Sequence, residues 1–600
     1  MKRVHVSSLA NLFAISFGAL LGVSAAQAAV NISDGPTKHM SCSAGVCSPT
    51  AKGAVLNVSD LASMLQAADV TVTTGSGAIT IEITAGLSWA SANRLTLDAN
   101  CNVSVKAPVT VAGPGGISIV TNDGGAGCDF LFFPGGKVDF WDLSSSLVIN
   151  GDDYVLVRDI ATLALDIQHN HAGRYALASD YDAAADGAYP SAPIQRVLGG
   201  TFEGLGHVIR NLTINVSNTL NRFVGLFSQL GTKGTIRDIG LENVQVSVAA
   251  SSTQYLVGSL VGVSGTDRKG GGAVINSYAT GSVTVGRVDL TFVGGLVGFN
   301  EYRSSIVRSH SDCAVTADPS SYMPSAGGLT AYNQGSISES YATGTVTGLN
   351  AGGLVYENFG PSGDQGAGMI VNSYASGTVQ IEGVGQGGGL AVLNTGTISN
   401  SHATGDIRAA GPFNVPAGGL VVTNQGSIVN SYATGDVLSA GFGSVTGGLV
   451  AKNDYGNISL SFATGSVATE FQGGGLVGSN NGNIANSYAL APVAGGADAA
   501  VGGLVGYHTF GAISDAYSTG AVTGGRRIYA GGFIGRAEWD NIVDGYWDGD
   551  TSGKRKSAGG TRLSDSELKA GLPAGFDSTI WGQNAGVNNG YPYLLANPPP

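Results

Sequence analysis

Residues 418–437 read GGLVVTNQGSIVNSYATGDV, and close copies follow one another through the second half of the chain. Self-similarity at a fixed period decides architecture before any single residue does. The GGL-like element recurs with its apolar residue at Leu260, Leu296, Leu329, Leu354, Leu390, Leu420, Leu449, Leu476, Leu504 and Phe533. Between these, an SYATG-like element recurs with its ring at Tyr278, His310, Tyr341, Tyr374, His402, Tyr432, Phe462, Tyr488, Tyr517 and Tyr546. The period is roughly 30 residues, within the range of solenoids and arrays. Each unit holds three short β-favouring runs, such as 419–423, 427–433 and 436–438, separated by Gly, Asn and Thr turns.

One unit has too few apolar side chains to offset the entropy of ordering it. Stacked units can bury Leu420, Val422, Ile428 and Val437 against their equivalents above and below. The pattern therefore predicts an all-β parallel β-solenoid with one coil per unit and about 4.8 Å of rise between coils. Glycine at a corner repeated in every coil supplies either positive φ or close backbone approach. Asn300, Asn333, Asn394, Asn424, Asn453 and Asn480 follow the GGL element at a nearly constant offset, which predicts a stacked Asn ladder. The small residue before each ring predicts an interior position for itself. The pattern leaves open whether the rings face in or out.

The same reading divides the chain into five parts. Residues 1–28 carry a basic start, an apolar run over 9–23 and Ala26-Gln27-Ala28 as a cleavage site, the marks of a secretory signal peptide. Residues 29–69 form an N-terminal segment and cap, with a helix expected over 56–68 capped by Ser59 or Asp60. Residues 70–216 read as less regular coils, since ITIEIT, RLTLDA, NVSVKA, GISIVT and SLVING alternate apolar and polar residues between turns. A second helix is expected over 157–170. The repeat solenoid spans 217–547, and 548–600 closes the chain with a cap whose short helix begins at the capping box Ser564-Asp565-Ser566-Glu567.

Composition narrows the function. Without Lys2 and Arg3, 29 basic residues become 27 against 42 acidic ones, a net charge near −15. An acidic surface excludes a general binder of nucleic acid or anionic membrane. Cys42 and Cys47 flank a short loop and Cys101 and Cys128 could form a second bridge, in keeping with an exported chain, while Cys313 reads as a buried thiol.

Candidate chemistry is sparse. His169 and His171 offer two metal ligands without a third at metal-site spacing. Asp180, Asp182 and Asp186 cluster as glycoside cleavage would require, but in a turn-rich setting where capping is the expected role. Asp548 and Asp550 begin like an EF-hand loop, yet Gly559 stands where the bidentate acid belongs. Gly473, Gly475 and Gly478 match a dinucleotide fingerprint by letter only, with no helix after them. No catalytic, cofactor-binding or metal residues are assigned.

The units GGLVGFN, GSISESYATGTV, GTISNSHATGDI and GSIVNSYATGDV resemble the GLUG motif of secreted, filamentous-haemagglutinin-like proteins of Gram-negative bacteria. The block YVLVRDIATLALDI, RYALASDYDAAA and GGTFEGLGHVIRNLTI resembles what precedes such repeats, and GYWDGDTSG with GYPYLL resembles their close. The resemblance covers roughly residues 70–596. It implies a right-handed parallel β-helix exported as an adhesin-like exoprotein, and no catalytic residue. A full two-partner secretion domain and a β-barrel translocator are not recognised, so the outer side of the envelope, reached through an outer-membrane transporter, and the periplasm are both possible destinations.

The expected function is non-enzymatic attachment to a host or neighbouring cell surface, matrix or polysaccharide. With the ring column outward, Tyr341, Tyr374, Tyr432, Phe462 and Tyr488 would form a glycan-stacking ladder; with it inward, they would be an internal stack. The runner-up is a polysaccharide lyase or hydrolase on the same fold, with 180–186 and 301–308 as the places for its carboxylates, and a third reading is a purely structural envelope component.

Overall fold

The computed structural model describes residues 29–600 apart from 76–77, 122–127, 218–221, 250, 266–269, 322, 361–367 and 525–528, so the expected signal peptide lies outside the described residues. Within the quoted unit the chain forms strands Ala417–Gly418, Val421–Asn424, Ser427–Val429, Tyr432–Ala433 and Val437–Ser439. Each pairs in parallel, in register, with the coil before and the coil after: Ile398, Ile428 and Ile458 align, as do His402, Tyr432 and Phe462. One wall alone contains eleven strands, from Phe227–Leu230 to Ile534–Ala537. The all-β parallel β-helix expected from the repeat is the fold.

The expected core residues Leu420, Val422, Ile428 and Val437 are all buried, but not together. Leu420, Ile428 and Val437 join the continuous central core, whereas Val422 packs with Val392, Val445 and Ala451 in a separate cluster. The reason lies in the GGL corner. Strand Val445–Gly447 runs outside strand Val450–Asn453, packed against it, so the second residue of each GGL strand is covered from without.

This corner explains the glycines by close approach rather than by conformation. A Cβ on Gly419 would lie 1.9 Å from the Gly448 carbonyl oxygen, and one on Gly448 would lie 2.0 Å from that of Gly475. The left-handed corner is elsewhere, two residues before each ring. It is held by Asn276, Arg308, Glu339, Asn372, Asn400, Asn430, Leu460, Asn486, Asp515 and Asp544, with φ between 45° and 53°. Asn and Asp tolerate that region best among residues with a Cβ.

The expected single run of coils over 70–216 is interrupted by a hairpin. Strands Ser146–Ile149 and Asp152–Val157 pair antiparallel around Asn150-Gly151, both at positive φ. Strand direction reverses there while the sheet continues through Arg174–Leu177 and Thr201–Glu203. Leu147, Leu156 and Ala176 belong to the core of the first solenoid, and Val157, Tyr175 and Leu177 to that of the second. Alternate side chains thus serve different cores, and the second solenoid carries its core on the opposite face of the shared sheet.

Helix α1 is Val58–Ala67, shorter than expected, because its cap is Asn57: the Asn57 side chain accepts from the backbone N–H of Ser59 and Asp60. Leu61 and Leu65 are buried, and the helix packs on strand Leu87–Trp89 at the edge of the three-stranded wall Leu87–Trp89, Pro108–Val111, Lys137–Phe140. Ser91 Oγ and Asn93 Nδ2 donate to the Leu65 carbonyl. That covers an open edge, as a solenoid requires. Helix α2, Ile160–His169, starts after cap Asp159 and buries Ile160, Leu163 and Ile167 against the second core.

Cys42 and Cys47 face each other across the hairpin Met40–Ser43 and Val46–Pro49 and are bonded, and Cys101 is bonded to Cys128. Cys313 is free and buried, where burial pushes its thiol up to about 12. No described helix is long and apolar enough to cross a membrane.

The C-terminal segment splits in two. Around 552–563 it closes the end of the coil stack: strand Thr561–Leu563 pairs with Ile542–Asp548, and Ser557 Oγ accepts from Phe533 and Ile534. Residues after the capping box, beginning with helix α3 (Asp565–Ala570), fold back along the side.

Candidate binding surface and the cleft at its foot

Serine fixes which way the rings point. Ser277, Ser309, Ser340, Ser373, Ser401, Ser431, Ser461 and Ser487 are buried, each Oγ accepting the N–H of the serine one coil earlier from Ser309 onward. The next residue in each strand, the ring, must then face outward. From Tyr278 to Tyr517 nine rings stack with centroids 4.4–5.1 Å apart and planes within 8°.

Stacking decides what this column offers. The faces of Tyr341, Tyr374 and Tyr432 are occupied by their neighbours, so the outer wall presents ring edges and hydroxyls, and a sugar cannot lie flat on them. Burial pushes these three phenols above their ordinary range, which keeps them protonated donors. Burial likewise pushes the His310 and His402 imidazoles down. Phe462 and Tyr488 are sealed altogether, as are Tyr517 and most of Tyr546, because the folded-back segment lays Leu568, Phe576, Trp581, Tyr591 and Leu594 over them. Trp581 Nε1 donates to Asn486 Oδ1 at 3.1 Å, the Tyr517 hydroxyl to the Pro592 carbonyl at 2.5 Å, and Asn597 Nδ2 to the Leu460 carbonyl at 3.2 Å. The ladder is therefore half open, from Tyr278 to Tyr432, and half covered.

Inside, the expected Asn ladder is continuous. Asn300, Asn333, Asn358, Asn394, Asn424, Asn453 and Asn480 are fully buried, and each Nδ2 donates to the Oδ1 of the next at 2.7–2.9 Å. It ends on His508, whose Nδ1 lies 3.2 Å from Asn480 Nδ2. Asn358 and His508 escaped the sequence reading although both stand four residues after their GGL leucine, the same offset as the rest.

At its other end the open ladder enters a cleft of about 360 Å³ where the two solenoids meet. The column position before Tyr278 is Gly240, and the Tyr278 ring lies over it, 2.5 Å from where a Cβ would stand. Phe132, Phe133 and Pro134 of the first solenoid line the cleft with Asp238, Asn276 and His310.

An ion-pair network braces this joint. Arg237 Nε lies 3.1 Å from Glu203 Oε2 and 2.7 Å from Asp238 Oδ2, while its Nη2 reaches Asp129 Oδ1 at 3.0 Å and the Phe130 carbonyl at 2.9 Å. Arg308 also reaches Asp129, next to the bonded Cys128. Burial, then the neighbouring Asp238, pushes the Glu203 carboxyl well up, and burial also raises Asp238 against the pull of Arg237. The ring nitrogens of His207 face Asp180 Oδ1 at 3.0 Å and the Val138 carbonyl at 2.8 Å. Although burial pushes Asp180 up, its hydrogen bond with His207 and the nearby Lys137 hold it well below the usual carboxylate range.

The sequence-predicted candidates do not assemble into a reactive site. Asp182 caps Ala184 and accepts from Asn211, and Asp186 accepts from Tyr181 and Tyr189, while only Asp180 enters the joint. The Asp548 carboxylate is turned inward, onto the N–H groups of Asp550 and Thr551 and the Tyr591 hydroxyl. Gly473 and Gly478 sit in or beside strands, as repeat punctuation. Among the described residues no three His, Cys, Asp or Glu side chains converge as a metal site, and His169 and His171 are not brought to a third ligand.

The model of the GLUG motif matches residues 324–347 and 497–523. The chain carries the GLUG motif in its repeats. The first match spans the ring Tyr341 and the second the ring Tyr517, so this GLUG solenoid's motif is the ring-bearing coil. No curated protein matches the chain. A solved structure from Bacteroides ovatus, described as a "putative immunoglobulin A1 protease", is similar at 17% identity over 74% of this chain and 93% of its own, with a TM-score of 0.18.

Proposed function

We propose that this GLUG-repeat solenoid is exported and attaches to cells, matrix or glycan without acting as an enzyme. The observation that carries the reading is the open half of the ring ladder, six rings from Tyr278 to Tyr432 that present polar edges at one-coil spacing along the outer wall. Weak contacts repeated along a rod add through effective concentration, so no single strong pocket is needed. Two disulfides and the signal-like first 28 residues support an oxidising destination outside the cytoplasm. An outer-membrane transporter is the partner such a route requires. Nucleic acid is not among the partners, given the acidic balance.

Antibody labelling of intact cells against a permeabilised control tests this directly. Signal on intact cells is expected. Signal only after permeabilisation would replace attachment with a periplasmic role.

One observation favours a polysaccharide-processing enzyme as the second reading: Glu203 and Asp238 lie together below a cleft. Against it, Glu203 meets Leu205 N–H and Arg237, Asp238 meets Arg237 and Asn276, and the two are 1% and 3% exposed. Engaged in this way they brace the joint. Loss of polymer viscosity on incubation with the protein would reverse that judgement.

A further inference from the structure

We infer that the cleft at the foot of the ring ladder is a saccharide site, taking the terminal neutral pyranose of a β-linked glycan whose chain continues along the ladder; this rests on the attachment reading. Four observations lead there.

The first is the way the column ends. Every ring from His310 to Tyr488 is stacked on both sides, but the position before Tyr278 is held by Gly240, which has no ring to offer. Tyr278 is thus where the ladder's ring stacking stops: its outer face lies over the Gly240 backbone, and it borders the cleft. Phe132 and Phe133 line the same cleft, and Phe133 is 43% exposed with Lys106 Nζ 5.3 Å from its ring centroid. A pyranose with equatorial substituents presents C–H faces that suit apolar walls.

The second is the polar complement. Asn276 commits its Nδ2 to Asp238 and keeps its Oδ1 as an acceptor beside the cleft. The His310 ring nitrogens make no side-chain hydrogen bond within the described residues, and burial holds that imidazole down in its neutral form, one donor and one acceptor. Hydroxyl groups of a sugar need both.

The third is charge. Lys137, Arg210, Arg237 and Arg308 are all held by the six carboxylates around the cleft, so no cation is left for a uronate, and each of those carboxylates already has a cation partner, so none is left alone for an amine. The fourth is size and direction. About 360 Å³ lies at the small end of small-ligand sites, roughly 300–1,000 Å³, and the open side leads to the hydroxyls and imidazole edges of the ladder.

The test is titration of the full chain with cellotriose, laminaritriose and chitotriose by calorimetry, beside capture of the same protein on cell, matrix and glycan surfaces. Phe133→Ala is expected to weaken trisaccharide binding about tenfold, the worth of one lost ring contact, with Phe133→Trp retaining it. An unchanged urea midpoint would show that the variant folds. Binding unaffected by Phe133→Ala would overturn the cleft assignment and leave attachment intact. Surface capture with no trisaccharide bound would overturn the saccharide site alone. Neither capture nor trisaccharide binding would overturn both.

Discussion

Two columns run along the second solenoid at the same one-coil spacing, and they answer to it in opposite ways. The Asn ladder is buried, and each amide after Asn300 spends both a donor and an acceptor on its neighbours. The ring ladder lies on the outer face of the wall, and its members meet one another only through their faces, while the hydroxyls of Tyr278 and Tyr517 turn to Glu242 and Pro592. An amide column tolerates little variation in chemistry, since a missing member strands two polar groups away from water. A ring column accepts Tyr, His or Phe, since all three stack. The sequence shows this difference: Asn holds seven successive places inside, while the outer column changes identity at His310, His402 and Phe462.

The comparison can be broken most severely from within. Asn394→Leu would leave Asn358 Nδ2 without its amide acceptor and Asn424 Oδ1 without its donor, a loss of about 4 kcal/mol at roughly 1–3 per stranded group. Urea unfolding should shift accordingly, and amide exchange should rise first in the coils around residues 358–424. A rod with unchanged protection there would refute the role given to the ladder.

Next comes the boundary between the open and covered halves. Trp581→Ala should cost about 3 kcal/mol, borne by the folded-back segment rather than by the coils. Exchange is expected to increase over 564–597 while the strands at 457–489 keep their protection. Equal loosening of both would make the segment a structural part of the rod.

Tyr374→Ser removes two stacking contacts from a half-buried ring and should cost about 2 kcal/mol, at roughly 0.5–1.5 each, leaving the fold intact. Unfolding would mean that the outer column carries the core.

The smallest effect is in acid. His402 is pushed down by burial alone, so its neutral form is favoured in the folded state. The stability this provides is full above the ordinary imidazole range, near pH 6.5, and is lost as pH falls through the lower folded value. His402→Phe should flatten the decline of stability below about pH 6.5, since Phe462 already stands in the same column. An identical acid profile in the variant would remove His402 from the account.

Much of this molecule was legible because its physics repeats. The period placed the GGL corners, the Asn column and the rings, and each copy reinforced the others. The joint was not legible in that way, since it occurs once. Asn150-Gly151 between SLVI and DDYVLV is a strong hairpin signal in isolation, but among alternating strands it reads as one more coil turn. Ring direction stayed open for another reason. Serine before each ring signals a tight interior only when the strand's alternation is known, and strand Tyr432–Ala433 is too short to display it. The cleft depends on contacts such as Arg237 with Asp129, 108 residues apart, which no local pattern announces.

The Asn ladder has one more consequence. Every amide from Asn300 to Asn480 donates in the same direction, toward the C-terminal end, so their dipoles add instead of cancelling. An acceptor oxygen without a donor is left at Asn300, and at the far end His508 Nδ1 must accept, which puts its proton on Nε2. The amide column is therefore polar along the solenoid axis, negative toward Asn300 and positive toward His508.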